Sequence, residues 1–199
     1  MSATGLVLVD PYNDFLADDG RIWPRIRDVA EAVGLREHLR ALLAGVRAAG
    51  RPVFVAPHRR YRPGDVDGWA HAPRPHAMLR DARLFELGTP GGEFHPELGP
   101  RAGDVVAGEH WAMNGFVHTD LDLLLRRHGI EHVILAGLTA PGCVEGTGRH
   151  AMELGYGVTL VKDATAAFTM DLQRAATELT GPLYADAVRC TAEVLAALA

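Results

Sequence analysis

Two residues of this 199-residue chain, Cys143 and Asp10, stand where their side chains are most suited to chemistry. Cys143 lies in LAGLTAPGCVEGTGRHAMELGY, where a continuous apolar run from Val133 to Ala136 breaks into a Gly/Thr/Pro/Gly turn and delivers the thiol to the start of a helical pattern. Backbone N–H groups at a helix N-terminus carry partial positive charge, which lowers a thiol pKa from its free value of about 8.5 and can hold a developing oxyanion. A thiol in that place is either an activated nucleophile or, as most unpaired cysteines are, a small buried hydrophobe. Asp10 closes another apolar run in LVLVDPYNDF, immediately before a proline. Such a carboxylate is either a turn-former or a base pointed into the crevice at a strand end. Together the pair suits acyl transfer, the carboxylate taking the thiol proton during attack and returning it to a leaving amine.

These residues need a scaffold that ends strands at one edge, and the chain alternates strand and helix patterns. Short apolar runs at Leu6 to Val9, Pro52 to Ala56, Asp104 to Ala107, Val133 to Ala136, Val158 to Val161 and Val188 to Cys190 read as strands. Helical spacing runs from Ile26 to Ala49 and ends at Gly50; a second helix starts at Thr119 and stops at Gly129. Further helices are expected over Val144 to Leu154, Leu172 to Leu179 and Ala192 to Leu198. Nearly all-apolar strands alternating with helices predict a three-layer α/β/α fold, a six-stranded mostly parallel sheet covered on both faces. Ligands bind beyond the carboxyl ends of the strands in such sheets. That rule gathers Asp10, His58, the Glu109/His110/Trp111 cluster, Cys143 and Lys162/Asp163 on one edge. Residues 57–101, rich in Pro, Gly, His and Arg with a possible helical turn around Met78 to Leu87, read as a long functional loop or lid within a single domain spanning 1–199.

Composition narrows the partners. A net charge of -5 gives no electrostatic footprint for nucleic acid, and no stretch approaches the length of a membrane span. Hydrophobic content of 48% is ample for a core without staples, and two cysteines, Cys143 and Cys190, are no disulfide framework. The N-terminal residues show neither a charged n-region nor an apolar h-region, so the expected location is the cytoplasm, with thiols reduced. A small neutral or polar molecule is the expected substrate.

Three stretches carry a resemblance to a known family: LVLVDPYNDF around Asp10, GFVHTDLDLLLRRHGI before the fourth strand, and AGLTAPGCVEGTGRHAMELGYGVTLVKDATAAF around Cys143. They resemble the isochorismatase-like cysteine hydrolases, which include nicotinamidases, N-carbamoylsarcosine amidohydrolases and ureidoacrylate amidohydrolases. The resemblance covers the chain apart from residues 57–101. It implies an Asp, Lys and Cys triad in which the cysteine attacks an amide or carbamoyl carbonyl, Asp10 shuttles the proton, and the backbone N–H groups of Thr139 and Cys143 form an oxyanion hole. A non-proline cis peptide between Leu138 and Thr139 is implied with it, as is a homo-oligomer, and no cofactor is expected.

The chain departs from the family pattern at the lysine. Counting back six residues from Phe116 lands on His110 in GEHWAMNGF, and the chain's one lysine, Lys162, lies elsewhere. Either His110 as imidazolium steadies a thiolate, with Glu109 orienting it or serving as a second carboxylate, or His110 merely fills the pocket wall. Lys162 lies beside Asp163, with which a surface ion pair is expected. Tyr12 stands where the family often has glutamine and is expected to alter the pocket floor. The expected pocket lining is Phe15, Trp23, His58, Trp69, Trp111, Asn114 and Phe116. No metal is expected, since PHRRYRPGDVDGWAHAPRPH holds His58, Asp65, Asp67, His71 and His76 without Asp-x-His spacing. Arg59, Arg60 and Arg62 belong either to a solvated loop or to recognition of a substrate carboxylate.

Three functions compete. The first is hydrolysis of a small amide, ureido or carbamoyl compound through a Cys143 thioester. The second is vinyl-ether hydrolysis, in which the resemblance implies protonation by the aspartate. The third is a catalytically silent member kept for binding or assembly.

Overall fold

The structure, a computed structural model, describes residues 3–198. Six strands, β1 (Thr4–Val9), β2 (Val53–Ala56), β3 (Val105–Val106), β4 (His132–Leu138), β5 (Gly157–Ala166) and β6 (Ala187–Arg189), make one sheet in the order β3-β2-β1-β4-β5-β6. Every pairing is parallel. Both faces of the central strands are apolar, so both must be covered. Leu6, Leu8, Val53, Val55, Ile134 and Ala136 pack against α2 (Trp23–Ala32), α3 (Leu35–Ala48) and α8 (Thr191–Leu198). The alternate residues Val7, Val9, Phe54, Ala56, Val133 and Leu135 pack against α5 (Leu121–Arg127) and α6 (Glu145–Glu153). The three-layer expectation is thereby met.

Several boundaries differ from the sequence reading. The helix expected over Ile26 to Ala49 is two helices, broken at Gly34, which takes a left-handed φ of 66° that a side chain with Cβ tolerates poorly. The fifth strand runs five residues beyond Val161, past an irregularity in its pairing with β4 between Leu135 and Gly137. Residues 57–101 contain α4 (Arg74–Asp81) and a 3₁₀ turn at Pro90–Gly92; the helix begins before Met78 because Pro75 suits a first turn. Between β5 and β6, α7 (Met170–Arg174) widens into a π-helical stretch over Ala175–Thr180. A four-residue helix, α1 (Asn13–Leu16), follows β1.

The strand order reverses between β1, which leads outward to β2 and β3, and β4, which leads to β5 and β6. In open α/β sheets this reversal opens a crevice beyond the carboxyl ends of the two strands. Asp10 directly follows β1, and the turn carrying Cys143 directly follows β4. Gly137 lets the two strands close there: its φ is 118°, and a Cβ at this position would lie 2.1 Å from the Val9 carbonyl oxygen.

Candidate active site

Asp10 holds a φ of 53°, unusual for a residue with a side chain and more so before proline. Its backbone amide donates to the Ala56 carbonyl at 3.2 Å, and its carbonyl accepts from Tyr12 at 2.8 Å, which pins the bend. Past the ends of β2 and β3 the chain continues to pair: His110 donates from its backbone amide to Pro57, and Arg59 donates back to the His110 carbonyl. That extra rung sets His58 and His110 side by side, ring centroids 5.0 Å apart and nearly perpendicular. His110 Nε2 donates to Asp10 Oδ1 at 3.0 Å, with both side chains fully buried. Oδ2 of Asp10 and Nδ1 of His110 have no hydrogen-bond partner among the described residues.

Cys143 completes the group. Ligand-capable atoms of Asp10, His110 and Cys143 lie within 4.8 Å of one another, which is also the one cluster among the described residues that brings three metal-capable side chains together. After β4 the peptide between Leu138 and Thr139 is cis, and Ala140–Val144 form a single wide π-helical turn distorted at Gly142 before α6 begins. The Cys143 Sγ sits 3.5 Å from the Ala112 carbonyl, to which it donates. Burial, followed by the neighbouring Asp10 charge, pushes the thiol well above its ordinary value, while the backbone amides of Cys143 and Thr139 pull in the opposite direction. The lowering of the thiol pKa expected from a helix N-terminus is therefore corrected. The amides act as anticipated, but desolvation and a carboxylate outweigh them, so the resting group is a thiol.

His58 is kept neutral at pH 7. Burial, then the neighbouring His110, lowers its pKa to about 4. Its Nδ1 lies 2.9 Å from the Arg59 carbonyl, which can only accept, so Nδ1 carries the proton and Nε2 is left as an acceptor. Tyr12 supports this histidine from behind: its hydroxyl donates to the His58 carbonyl at 2.8 Å, and its ring stacks between Phe85 and Phe94.

A cavity of about 230 Å³ opens above the group, with Asp10, His58, Thr139 and Cys143 at its polar end. Its walls come from Phe15 on α1, Ile22 and Arg25 at α2, Phe168 after β5, and Ala112 and Met113. Segment 57–101 supplies Arg74, Pro75, Met78, Leu79, Leu84 and Phe85. That volume is below the range of roughly 300–1,000 Å³ typical of drug-sized pockets, so it suits a small molecule.

Residues 4–192 match the family described as Isochorismatase domain. The chain belongs to the isochorismatase family. Among the relatives of this isochorismatase-family hydrolase is a ureidoacrylate amidohydrolase from Pantoea ananatis, 29% identical over 175 residues, an alignment covering 81% of this chain and 68% of the relative. Similar solved structures include an isochorismatase family protein from Desulfovibrio vulgaris (28% identity, TM-score 0.80, covering 98% of this chain and 100% of that one). An N-carbamoylsarcosine amidase from Thermoplasma acidophilum is also similar (29% identity, TM-score 0.70, 94% of this chain and 96% of that one).

Of the expected pocket residues, Phe15 and His58 line the isochorismatase-family cavity and several others do not. Trp23 is buried in the helical layer under the Arg36 guanidinium, 3.6 Å from its ring centroid. Phe116 packs in the core between His150 and Tyr156. Trp69, Trp111 and Asn114 line a separate cavity of about 630 Å³ that shares Ala112 and Met113 with the first. Asn114 serves locally, accepting from the Phe116 amide and contacting His150.

Glu109 does not orient His110. Its carboxylate is taken by Arg60 at 2.6 Å and Arg59 at 3.6 Å, because consecutive residues of an extended segment point to opposite sides. Arg59 also pairs with Asp65 at 2.7 Å, so Arg59 and Arg60 are engaged with acids and lie outside the cavity lining. The Lys162/Asp163 ion pair is replaced by another arrangement: Lys162 is exposed, and Asp163 accepts from the Thr191 amide and hydroxyl. The strand runs on past both, which removes them from the crevice edge. Arg25, Arg74, Met78, Leu79, Leu84, Phe85 and Phe168 were not anticipated as lining. The apolar Met78, Leu79, Leu84 and Phe85 gave the one available signal, a weak helical spacing in the Pro/Arg-rich text.

Proposed function

We propose that this isochorismatase-family hydrolase cleaves the C–N bond of a small amide, ureido or carbamoyl compound through a thioester on Cys143. The observation that carries the reading is the buried meeting of Asp10, His110 and Cys143 within 4.8 Å at the β1/β4 crevice, beneath a small apolar cavity. The names of the ureidoacrylate amidohydrolase and N-carbamoylsarcosine amidase relatives support the same bond class.

Attack begins from the thiol. As Sγ approaches the carbonyl carbon, its proton passes to Asp10, whose Oδ2 is unoccupied by any partner among the described residues. The negative charge moving onto the carbonyl oxygen meets the backbone amides of Thr139 and Cys143, which already act on the sulfur. Collapse of the tetrahedral species breaks the C–N bond, Asp10 returns the proton to the departing nitrogen, and the acyl group remains on sulfur. Water then attacks the thioester with Asp10 as base, releasing the acid and restoring the thiol. A carboxylate base matched to a neutral thiol keeps the resting site free of a buried anion pair.

His110 fills the place of the family lysine as a positioning residue. Its Nε2–H fixes Oδ1 and leaves Oδ2 for the proton. Glu109 takes no part in proton transfer on this reading and braces the segment through Arg60.

A panel of small amides, ureido acids and carbamoyl compounds, run with the wild type and Cys143→Ala, tests the proposal. Turnover lost in Cys143→Ala, with an acyl adduct on the Cys143 peptide in rapidly quenched wild type, is the expected result. Vinyl-ether hydrolysis that survives Cys143→Ala, or no turnover of any amide, would overturn it.

A further inference from the structure

Where the family pattern has a lysine, this chain brings an imidazole to a buried carboxylate and a thiol, and we propose that Asp10, His110 and Cys143 form a reversible inhibitory site for a thiophilic divalent cation, zinc above all. The inference rests on the geometry of the three side chains and goes beyond the amidohydrolase reading.

The donor set is one that zinc takes: a thiolate, an imidazole nitrogen and a carboxylate oxygen, held at about 2.3, 2.0–2.1 and 2.0–2.2 Å respectively. Around a tetrahedral ion such bonds set neighbouring ligand atoms about 3.4–3.6 Å apart. One ligand atom from each of the three residues already lies within 4.8 Å of the others, and His110 Nε2 is 3.0 Å from Asp10 Oδ1. The set therefore has to close by roughly 1 Å to hold the ion, with no change of backbone. Asp10 and His110 are fully buried, and Oδ2 of the one and Nδ1 of the other have no hydrogen-bond partner among the described residues. Oδ2 is thus free to ligate. When Nε2 turns its lone pair to the ion, the ring proton moves to Nδ1 and breaks no other contact there. None of the histidines in residues 57–101 belongs to the set, so the site lies away from the segment where the sequence was read for a metal.

Charge favours the same occupant. Burial and Asp10 keep the resting thiol protonated, whereas a coordinated zinc ion deprotonates it outright. That proton leaves to solvent. The two charges of the ion are then balanced by one carboxylate and one thiolate, so the filled site is neutral in a place where net charge is costly. A lysine at position 110 would forbid this, because an ammonium has no lone pair to offer and repels a cation. The ion enters from the cavity, which Asp10 and Cys143 both line, and water takes its fourth position. With Sγ on the metal and Oδ2 no longer able to take a proton, the site has neither nucleophile nor base. Magnesium, a hard cation that prefers oxygen ligands, is poorly served by a thiolate.

The test uses chelator-treated protein and the metal alone. Iodoacetamide labelling, in which sulfur displaces iodide to leave a thioether, is followed by mass spectrometry at the Cys143 and Cys190 peptides over a zinc titration. Zinc is expected to slow labelling of Cys143 by about tenfold or more while Cys190 changes less than about twofold, with EDTA restoring the rate and magnesium without effect. Cobalt should give a near-ultraviolet sulfur-to-metal absorption band that Cys143→Ala lacks. His110→Lys should raise the zinc needed for protection by about a hundredfold or more, since even losing a group that merely supports a ligand costs about 10–100-fold. His110→Gln, which still donates to Asp10 but offers no imidazole, should lose protection likewise and covers the case in which lysine disturbs the fold. An unprotected Cys143 in excess zinc, protection retained in both His110 variants, or equal protection by magnesium overturns the inference. Labelling needs no hydrolysis, so a failed amide panel sinks the amidohydrolase reading and leaves the zinc site to be judged on protection. Where an amide is turned over, hydrolysis should stop over the zinc range that protects Cys143, and full turnover with Cys143 protected overturns the inhibitory role.

Discussion

His110 Nε2 lies 3.0 Å from Asp10 Oδ1, and neither side chain reaches solvent. The carboxylate that ends β1 is held by an imidazole from the segment after β3, one hundred residues away in sequence, through a single charge-assisted hydrogen bond.

Removing one partner of that pair leaves the other buried and unsatisfied, which costs about 3–5 kcal/mol in comparable cases. His110→Ala is therefore expected to lower the urea midpoint markedly and to reduce kcat at least a hundredfold. His110→Gln, which can still donate to Oδ1, should recover much of the stability and part of kcat. Equal midpoints for the two variants would argue that the contact contributes nothing.

Asp10→Asn separates base from bend. Asparagine tolerates the left-handed backbone that Asp10 adopts, so the variant should fold while losing hydrolysis by a thousandfold or more. The same change removes the charge that, after burial, holds the Cys143 thiol high. The pH midpoint of iodoacetamide alkylation at Cys143 should lie above the ordinary thiol range of about 8.5 in the wild type and move downward in Asp10→Asn. A wild-type midpoint well below 8 would contradict the thiol resting state.

The strands were legible because a parallel sheet buried on both faces writes itself as uninterrupted apolar runs, as in Leu6–Val9 and Val133–Ala136. Asp10 and Cys143 were legible for the same reason, each being the first chemistry-bearing residue after such a run. The partner of Asp10 was less so. Glu109 and His110 are adjacent in sequence, and only the rung that pairs His110 with His58 decides which of them turns inward. Aromatic residues misled because ring size signals burial but not direction: Trp23 and Phe116 are core, and Trp69 faces a different cavity. Arg25 and Arg74 were not legible as lining for a simpler reason, since exposed arginines on helices read as solvated charge.

Glu109→Gln tests the separation between neighbours. Glu109 anchors Arg60 and Arg59 rather than the reacting group, so kcat should fall by no more than a few fold. A loss comparable to that of Asp10→Asn would restore Glu109 as a second carboxylate in the chemistry.

Gly137 is where the sheet and the site meet most tightly. A Cβ there would stand 2.1 Å from the Val9 carbonyl oxygen, and the φ of 118° is itself closed to most side chains. Gly137→Ala is expected to cost several kcal/mol, because the atom it meets is backbone of the neighbouring strand and cannot swing away. Chemical denaturation should show a large fall in midpoint, whereas Gly50→Ala, at a φ of 66° with nothing within 4 Å, should cost far less.

His58 links the site to pH. In the folded chain its pKa is about 4, lowered from 6.5 by burial and then by His110, so between those values the unfolded ring holds a proton that the folded ring does not. Unfolding free energy must then rise with pH across that window. The contribution is fully present above about 6.5 and is lost as pH falls toward 4, by on the order of 3 kcal/mol for a displacement of this size. His76, His95 and His132 are lowered by burial as well and add slope in the same direction, so the comparison that isolates His58 is between the wild type and His58→Asn. Urea midpoints measured from pH 7.5 to 4.5 should decline less steeply in the variant. Parallel curves would mean that the ring accepts its proton without cost, and would overturn the close packing of His58 against His110.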